Sequence, residues 1–332
     1  MTPAAPVPFD PSTLQVHDVN GIRMRACSRG EGPLVLLCHG FPESWYSWRH
    51  QIEALAAAGY RAVAPDMRGY GGTDAPPDVG SYTMLHHVGD MVALVKALGE
   101  SQAVIVGHDW GAAVAWHSAL LRPDMFKAVA GLSVPYSPPS RTDLLTALEA
   151  KGVRTFYMQY FQEPGVAEGE LEADVEASIR RIYYSMSGDG PRRTICGVLQ
   201  PGCGLLDTTA DPASLPPWLT SDGIAYVAGE FRRTGFRGGL NWYRNFSRNA
   251  ELLRPWHGCA IAQPSLFIAG SRDDVLDFPG ARSRLEQLPT LLAGLFGSHI
   301  LEGAGHWVQQ ERAAEVNRLL LAFLAADANQ RK

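Results

Sequence analysis

Between residues 34 and 132 short apolar runs alternate with longer mixed runs whose apolar positions recur at helical spacing. Leu34–Cys38 is apolar throughout and stops at His39-Gly40, as a strand buried on both faces does. Residues 47–58 predict a helix closed by Gly59, and 61–64 a strand broken by Pro65. The alternation repeats with a helix over 83–98 ended by Gly99, a strand over 103–106, a helix over 111–121 ended near Pro123, and a strand over 128–132. Strand–helix alternation of this kind predicts an α/β fold, a mostly parallel sheet flanked by helices.

From Pro135 to Trp256 the alternation stops. A proline-rich hinge (Pro135 to Pro139) opens a stretch with helix-like pieces at 144–161 and 171–184 and a high density of Tyr, Phe and Trp. The α/β rhythm resumes with strands at 265–269 and 298–301 and a final helix from 311 to about 325. The expected organisation is a core formed by residues 1–136 and 257–332, interrupted by a helical lid over 137–256. An insertion after the C-terminal end of a core strand sits over the ligand crevice.

Composition narrows this picture. The chain has 332 residues, 46% of them hydrophobic and 19% charged, with a formal net charge of -5. This is a globular composition with no basic patch for nucleic acid and no polybasic signal for a membrane surface. Cys27, Cys38, Cys196, Cys203 and Cys259 are scattered and lack metal-ligand spacing, so reduced thiols are expected rather than disulfides or a zinc site. With no signal-like segment in residues 1–10 and no apolar stretch of membrane-spanning length, a cytoplasmic location is the default expectation.

The segment Val106-Gly107-His108-Asp109-Trp110-Gly111-Ala112 has the frame of a nucleophile elbow. Small residues let strand and helix approach around a sharp turn that presents one side chain at the top of the sheet. That side chain is Asp109, where a serine esterase would carry Ser. The plainer alternative is a strand-to-helix turn capped by an aspartate. Cys38-His39-Gly40-Phe41-Pro42 follows a core strand, where the elbow arrangement takes one oxyanion amide; the residue after the nucleophile supplies the other, which nominates Phe41 and Trp110. His306, in the loop Gly303-Ala304-Gly305-His306-Trp307, has the setting of a catalytic base, whereas His299 lies within or beside the preceding strand. The orienting acid is Asp273 or Asp274, after the strand 265–269. Asp66 and Asp74 are expected to serve loop structure.

His39-Gly40-Phe41-Pro42, Gly107-His108-Asp109-Trp110-Gly111, Tyr160-Phe161-Gln162-Glu163-Pro164-Gly165 and Asn241-Trp242-Tyr243-Arg244-Asn245 together resemble the soluble epoxide hydrolases of the α/β-hydrolase fold, from about Phe9 to the final helix. The resemblance implies Asp109 as nucleophile, His306 as base and Asp273 as orienting acid, the last because it stands two residues before Val275-Leu276. It also implies Tyr243 and Tyr157 as lid tyrosines that donate to the epoxide oxygen. Phe41, Trp110, His39 and Pro42 would form the oxyanion hole and substrate-binding loops. The residues around Tyr157 differ from the mammalian pattern, and the N-terminal phosphatase domain of the larger mammalian members has no counterpart in this sequence. The implied reaction yields a vicinal diol through an ester on Asp109 and needs no cofactor or metal. The aromatic lid suggests a small-molecule, apolar epoxide as substrate. A dehalogenase could use the same Asp-His-Asp set, but a departing halide calls for tryptophan or asparagine N–H donors rather than phenols. A non-catalytic receptor on this scaffold would be expected to lose one of the three.

Overall fold

The computed structural model describes residues 14–191 and 197–329; Cys196 and the proline-rich first residues lie outside the described residues. Its centre is one eight-stranded sheet in the order β1-β2-β4-β3-β5-β6-β7-β8. The strands are β1 Leu14–Val19, β2 Ile22–Arg29, β3 Leu34–Cys38, β4 Arg61–Pro65, β5 Ala103–His108, β6 Phe126–Leu132, β7 Ile261–Gly270 and β8 Leu292–Leu301. From β4 to β8 all neighbours pair parallel, while β1–β2 and β2–β4 are antiparallel.

The antiparallel edge is absent from the sequence-based expectation. It is a hairpin turned by Asn20-Gly21, both at positive φ (45° and 80°), the geometry of a two-residue primed turn. Asn-Gly between alternating apolar residues was the readable signal.

Period-two alternation within the parallel strands supplies two cores. Leu34, Leu36, Ile105 and Val129 face helices α2 (Met84–Ala97) and α3 (Trp110–Leu121). Val35, Leu37, Val104 and Val106 face α1 (Arg49–Ala57) and the C-terminal helices α12 (Val308–Glu311) and α13 (Ala313–Asn329), where Leu320 and Phe323 pack. Strand β3 lies between β4 and β5, so the connections leaving β3 and entering β5 run on opposite sides. The C-terminal ends of β3 and β5 therefore flank a topological switch point, the usual place for a ligand in such sheets.

Between β6 and β7 the described chain adds helices α4 (Leu144–Ala150), α5 (Tyr157–Tyr160), α6 (Val166–Ala173), α7 (Val175–Met186), α8 (Ser221–Thr234), α9 (Arg237–Tyr243) and α10 (Phe246–Leu252), and no strand of the sheet. The insertion is anchored onto the core loops: Tyr183 Oη donates to the Pro42 carbonyl (3.0 Å), Trp307 Nε1 to that of Tyr183 (2.8 Å), and Trp242 Nε1 to that of Arg68 (3.0 Å).

Two of its helices differ from the periodicity. The run 144–161 breaks because Gly152 takes φ 79° after α4. The chain then extends, and the Tyr157 amide donates to the Gly197 carbonyl while that of Leu199 donates to Thr155 (both 2.7 Å). The run 171–184 is split by Asp174, which turns out of helix and caps α7 by accepting from the Ala177 amide at 3.0 Å. Helix α11 (Ala281–Leu291) connects β7 to β8.

Candidate active site

Asp109 stands at the end of β5 with φ 52°, ψ -121°, a backbone conformation a non-glycine residue adopts only when its surroundings enforce it. The enforcement is steric. A Cβ on Gly107 would lie 1.9 Å from the Gly111 carbonyl oxygen, and one on Gly111 would lie 2.1 Å from that of Cys38. Only glycines allow β5, α3 and the β3 loop to meet so closely. Gly40 leaves room for the Asp109 carboxylate itself, since a Cβ there would lie 2.3 Å from Oδ1.

The two carboxylate oxygens have different surroundings. Oδ1 accepts from the Phe41 amide at 2.9 Å. Oδ2 lies 3.6 Å from His306 Nε2, beyond hydrogen-bond reach, and Asp109 keeps 15% of its side-chain surface open. Trp110 contributes its ring rather than an amide contact: the indole meets Tyr243 edge-on at 5.0 Å. Its N–H is at the unbonded N-terminal turn of α3, in the residue that follows Asp109.

His306 is completely buried, and its Nδ1 faces Asp273 Oδ1 and Oδ2 at 3.0 and 3.2 Å. Asp273 is held in turn by the Val275 amide at 3.0 Å. Of the two candidate acids, then, Asp273 touches the imidazole, and Asp274 lines the neighbouring cavity. Burial opposes charge on both His306 and Asp109, but their mutual attraction and Asp273 prevail. His306 is held well above its ordinary 6.5 and Asp109 below 3.8.

Tyr157 and Tyr243 line both cavities that meet at Asp109, one of about 50 Å³ and one of about 280 Å³. Burial first, and then Asp109 for Tyr157 and both Tyr157 and Asp109 for Tyr243, push the two phenols well above 10, so both carry their protons at neutral pH. The segments bearing them are tied together: Gln162 Nε2 donates to the Tyr243 carbonyl (3.0 Å) and Arg244 Nε to that of Phe161 (3.0 Å), while Arg244 Nη1 pairs with Glu168 Oε1 at 2.8 Å. Thus Tyr160–Gly165 and Asn241–Asn245, which stand apart in sequence, form one support for the tyrosine pair.

Pro42 lines the smaller cavity, but His39 does not join it. His39 is fully buried beneath the loop, donating from Nδ1 to the Gly40 carbonyl (2.9 Å) and accepting at Nε2 from the Met67 amide (2.9 Å). That corrects its assignment to the substrate-binding loop: both ring nitrogens are spent holding backbone. His299 is a strand residue of β8, and Asp66 and Asp74 accept from the amides of Trp45 (3.1 Å) and Arg23 (2.9 Å), as loop-building carboxylates do.

Three residues in or near the motifs, His108, Glu43 and Glu311, went unassigned in the sequence. Fully buried His108 donates from Nε2 to the His306 carbonyl (2.7 Å), which also accepts from Ser133 Oγ (2.7 Å). Its Nδ1 lies 2.7 Å from Glu43 Oε2, and that same oxygen accepts from the Gly40 amide (2.8 Å). One hydrogen-bonded pair, Glu43 and His108, therefore supports both the His306 loop and the Phe41 loop. Glu311 does similar work, accepting from the amides of Gly305 (2.9 Å) and Trp307 (3.0 Å) on either side of His306. The adjacency of His108 to Asp109 was the available clue; Glu311 had none.

Among the described residues no group of three or more His, Cys, Asp or Glu side chains is placed to hold a metal ion, and no helix is long and apolar enough to cross a membrane.

A family model described as alpha/beta hydrolase fold matches residues 33–313. The chain is 45% identical to an epoxide hydrolase A of Mycobacterium tuberculosis, over 94% of this chain and 97% of that protein. It is also 45% identical to an epoxide hydrolase of Caballeronia sordidicola, over 92% and 91%. A solved epoxide hydrolase from an endophytic Streptomyces superposes with TM-score 0.92 at 47% identity, covering 95% of this chain and 96% of that one.

Proposed function

The chain belongs to the α/β-hydrolase family and within it to the epoxide hydrolases, and from that premise we propose that it opens an epoxide by forming an ester on Asp109 and then hydrolyses that ester to release a vicinal diol. The observation that carries this reading is the opposition, across one cavity, of a carboxylate below its ordinary pKa and two protonated phenols.

The helices between β6 and β7 act as a lid that brings Tyr157 and Tyr243 over the sheet. Asp109 Oδ1 is engaged by the Phe41 amide, so the attacking atom is Oδ2. It displaces the strained C–O bond from behind, while a tyrosine gives its proton to the departing oxygen. Oδ1 becomes the ester carbonyl oxygen and remains against the Phe41 amide. When water adds to Cγ, the negative charge develops on Oδ1 and meets that donor already in place, with the unbonded Trp110 amide next in the chain available to join it.

Ester formation also changes His306. In the free enzyme two carboxylates favour its charged form. Alkylation neutralises Asp109, removing one of them, and the pKa of His306 falls at the step where a neutral base is needed. His306 then takes a proton from water, Asp273 holds the resulting imidazolium, and the Cγ–Oδ2 bond breaks so that Oδ2 leaves in the diol.

An epoxide and a matched chlorinated analogue, each assayed for diol and for chloride, test the assignment. Diol from the epoxide without chloride release supports it. Chloride release without diol would mean that the scaffold performs dehalogenation.

A further inference from the structure

The loop that carries His306 does not stand on the core alone. Glu311, the buried last residue of α12, accepts from the Gly305 amide (2.9 Å) and the Trp307 amide (3.0 Å) on either side of His306. Its Oε2 also accepts from the amide of Gly188 (2.8 Å), which belongs to the lid, two residues beyond the end of α7. The same lid segment takes the His306 amide on the Met186 carbonyl (2.8 Å) and the Trp307 indole N–H on the Tyr183 carbonyl (2.8 Å). Arg272, next to the orienting acid, donates from Nη2 to the Gly190 carbonyl (3.2 Å).

The two segments fit closely. A Cβ on Gly188 would lie 2.0 Å from the Gly303 carbonyl oxygen, and one on Gly305 would lie 2.3 Å from the Gly188 nitrogen. Backbone meets backbone there, so neither partner can yield by turning a side chain. The carboxylate is matched to its three donors: Oε2 serves one amide from each segment, and Oε1 serves the third. An ionised carboxylate only accepts, whereas a glutamine turned either way sets its NH2 group against at least one amide N–H. The phenols are held by different bonds, those of Gln162 and Arg244.

We infer that Glu311 is a positioning residue for ester hydrolysis: it clasps the lid at Gly188 to the loop at Gly305, so that His306 is aimed by the lid as well as by the core. The inference rests on the epoxide-hydrolase reading and divides its two steps. Asp109 and the tyrosines, which form the ester, are oriented by other contacts, while the base that hydrolyses it stands between two of the amides that Glu311 holds.

Single-turnover kinetics with styrene oxide, for wild type, Glu311→Gln and Gly188→Ala, resolve ester formation from ester hydrolysis. Amide hydrogen exchange of the peptides containing residues 186–190 and 303–307 reads the clasp independently of activity. Glu311→Gln should form the ester at nearly the wild-type rate and hydrolyse it roughly 10²-fold more slowly, the usual loss for about 1 Å of misplacement. Gly188→Ala, which parts the same surfaces from the lid side and leaves the carboxylate in place, should slow the same step. Both variants should exchange faster in both peptides. A merely structural role would lower the amplitude of both phases and leave their rate constants unchanged; that outcome, or faster exchange confined to 303–307, overturns the clasp. Should Glu311→Gln fail to fold, Gly188→Ala decides between them. Wild type that yields no diol removes the epoxide reading, whatever the exchange shows, and the inference with it.

Discussion

Replacing Glu43 with Gln removes a charge at nearly constant volume from the pair that supports both loops of the site. Three donors converge on that carboxylate: the Gly40 amide at 2.8 Å, His108 Nδ1 at 2.7 Å and Gln309 Nε2 at 3.0 Å. A glutamine offers one acceptor oxygen. Gln309 can turn its amide over to meet the new NH2 group, because its own Oε1 has no partner. His108 has no such remedy. Its Nε2 meets the His306 carbonyl and its Nδ1 the Glu43 carboxylate, and the single oxygen of a glutamine cannot serve both Nδ1 and the Gly40 amide as the carboxylate does. Losing a hydrogen bond to a buried charged group costs about 1.5–3 kcal/mol, and the Gln309 turn places Glu43→Gln near the lower end. Urea unfolding followed by tryptophan fluorescence measures this at pH 7. Glu43 lies below its ordinary 4.5 in the folded chain, held down by His108 against the upward push of burial. Its stabilisation is therefore present above 4.5 and lost as pH falls through the folded value, so the gap between wild type and variant should narrow in acid. A difference below about 1 kcal/mol at pH 7, or a gap that acid leaves unchanged, would refute the role of the Glu43 charge.

Three further outcomes follow from the same geometry. His306→Asn should still form the ester but fail to hydrolyse it, so mass spectrometry should find the substrate's added mass on the peptide containing Asp109. Tyr243→Phe removes one donor to the departing oxygen and should slow ester formation by roughly 10²–10³, the usual loss for one preorganised donor, as read in single-turnover kinetics. Ester formation should be nearly constant between pH 6 and 9, because Asp109 lies below 3.8 and both phenols well above 10, whereas ester hydrolysis should slow as falling pH protonates His306. Stopped-flow measurement of the two phases at several pH values separates them.

Much of this architecture was legible because it depends on local rules. Continuous apolar runs gave β3 and β5, and glycine-framed turns gave the elbow, since only small residues permit the approach of Gly107 to Gly111. Asp109 and His306 were marked by a turn or loop following a strand, whereas the loop after β7 offered Asp273 and Asp274 alike and the resemblance alone singled out Asp273. What escaped the sequence depends on tertiary partners. The Leu144–Ala150 helix stops short of the expected span at Gly152, and the chain beyond it pairs with residues 197–199, a non-local contact that also sets Tyr157. His39 looked like part of the binding loop from its place beside Phe41, yet its nitrogens turn inward to Gly40 and Met67. Glu43 and Glu311 act through backbone amides that no periodicity reveals.

Covalent use of Asp109 can be read from a single turnover in ¹⁸O-water. With enzyme in excess over styrene oxide, the first diol released should contain no label, because its new oxygen is Oδ2 of Asp109, and the label should appear in the Asp109 carboxylate. Diol labelled in that first turnover, with Asp109 unlabelled, would show that water attacks the epoxide itself and would contradict the account.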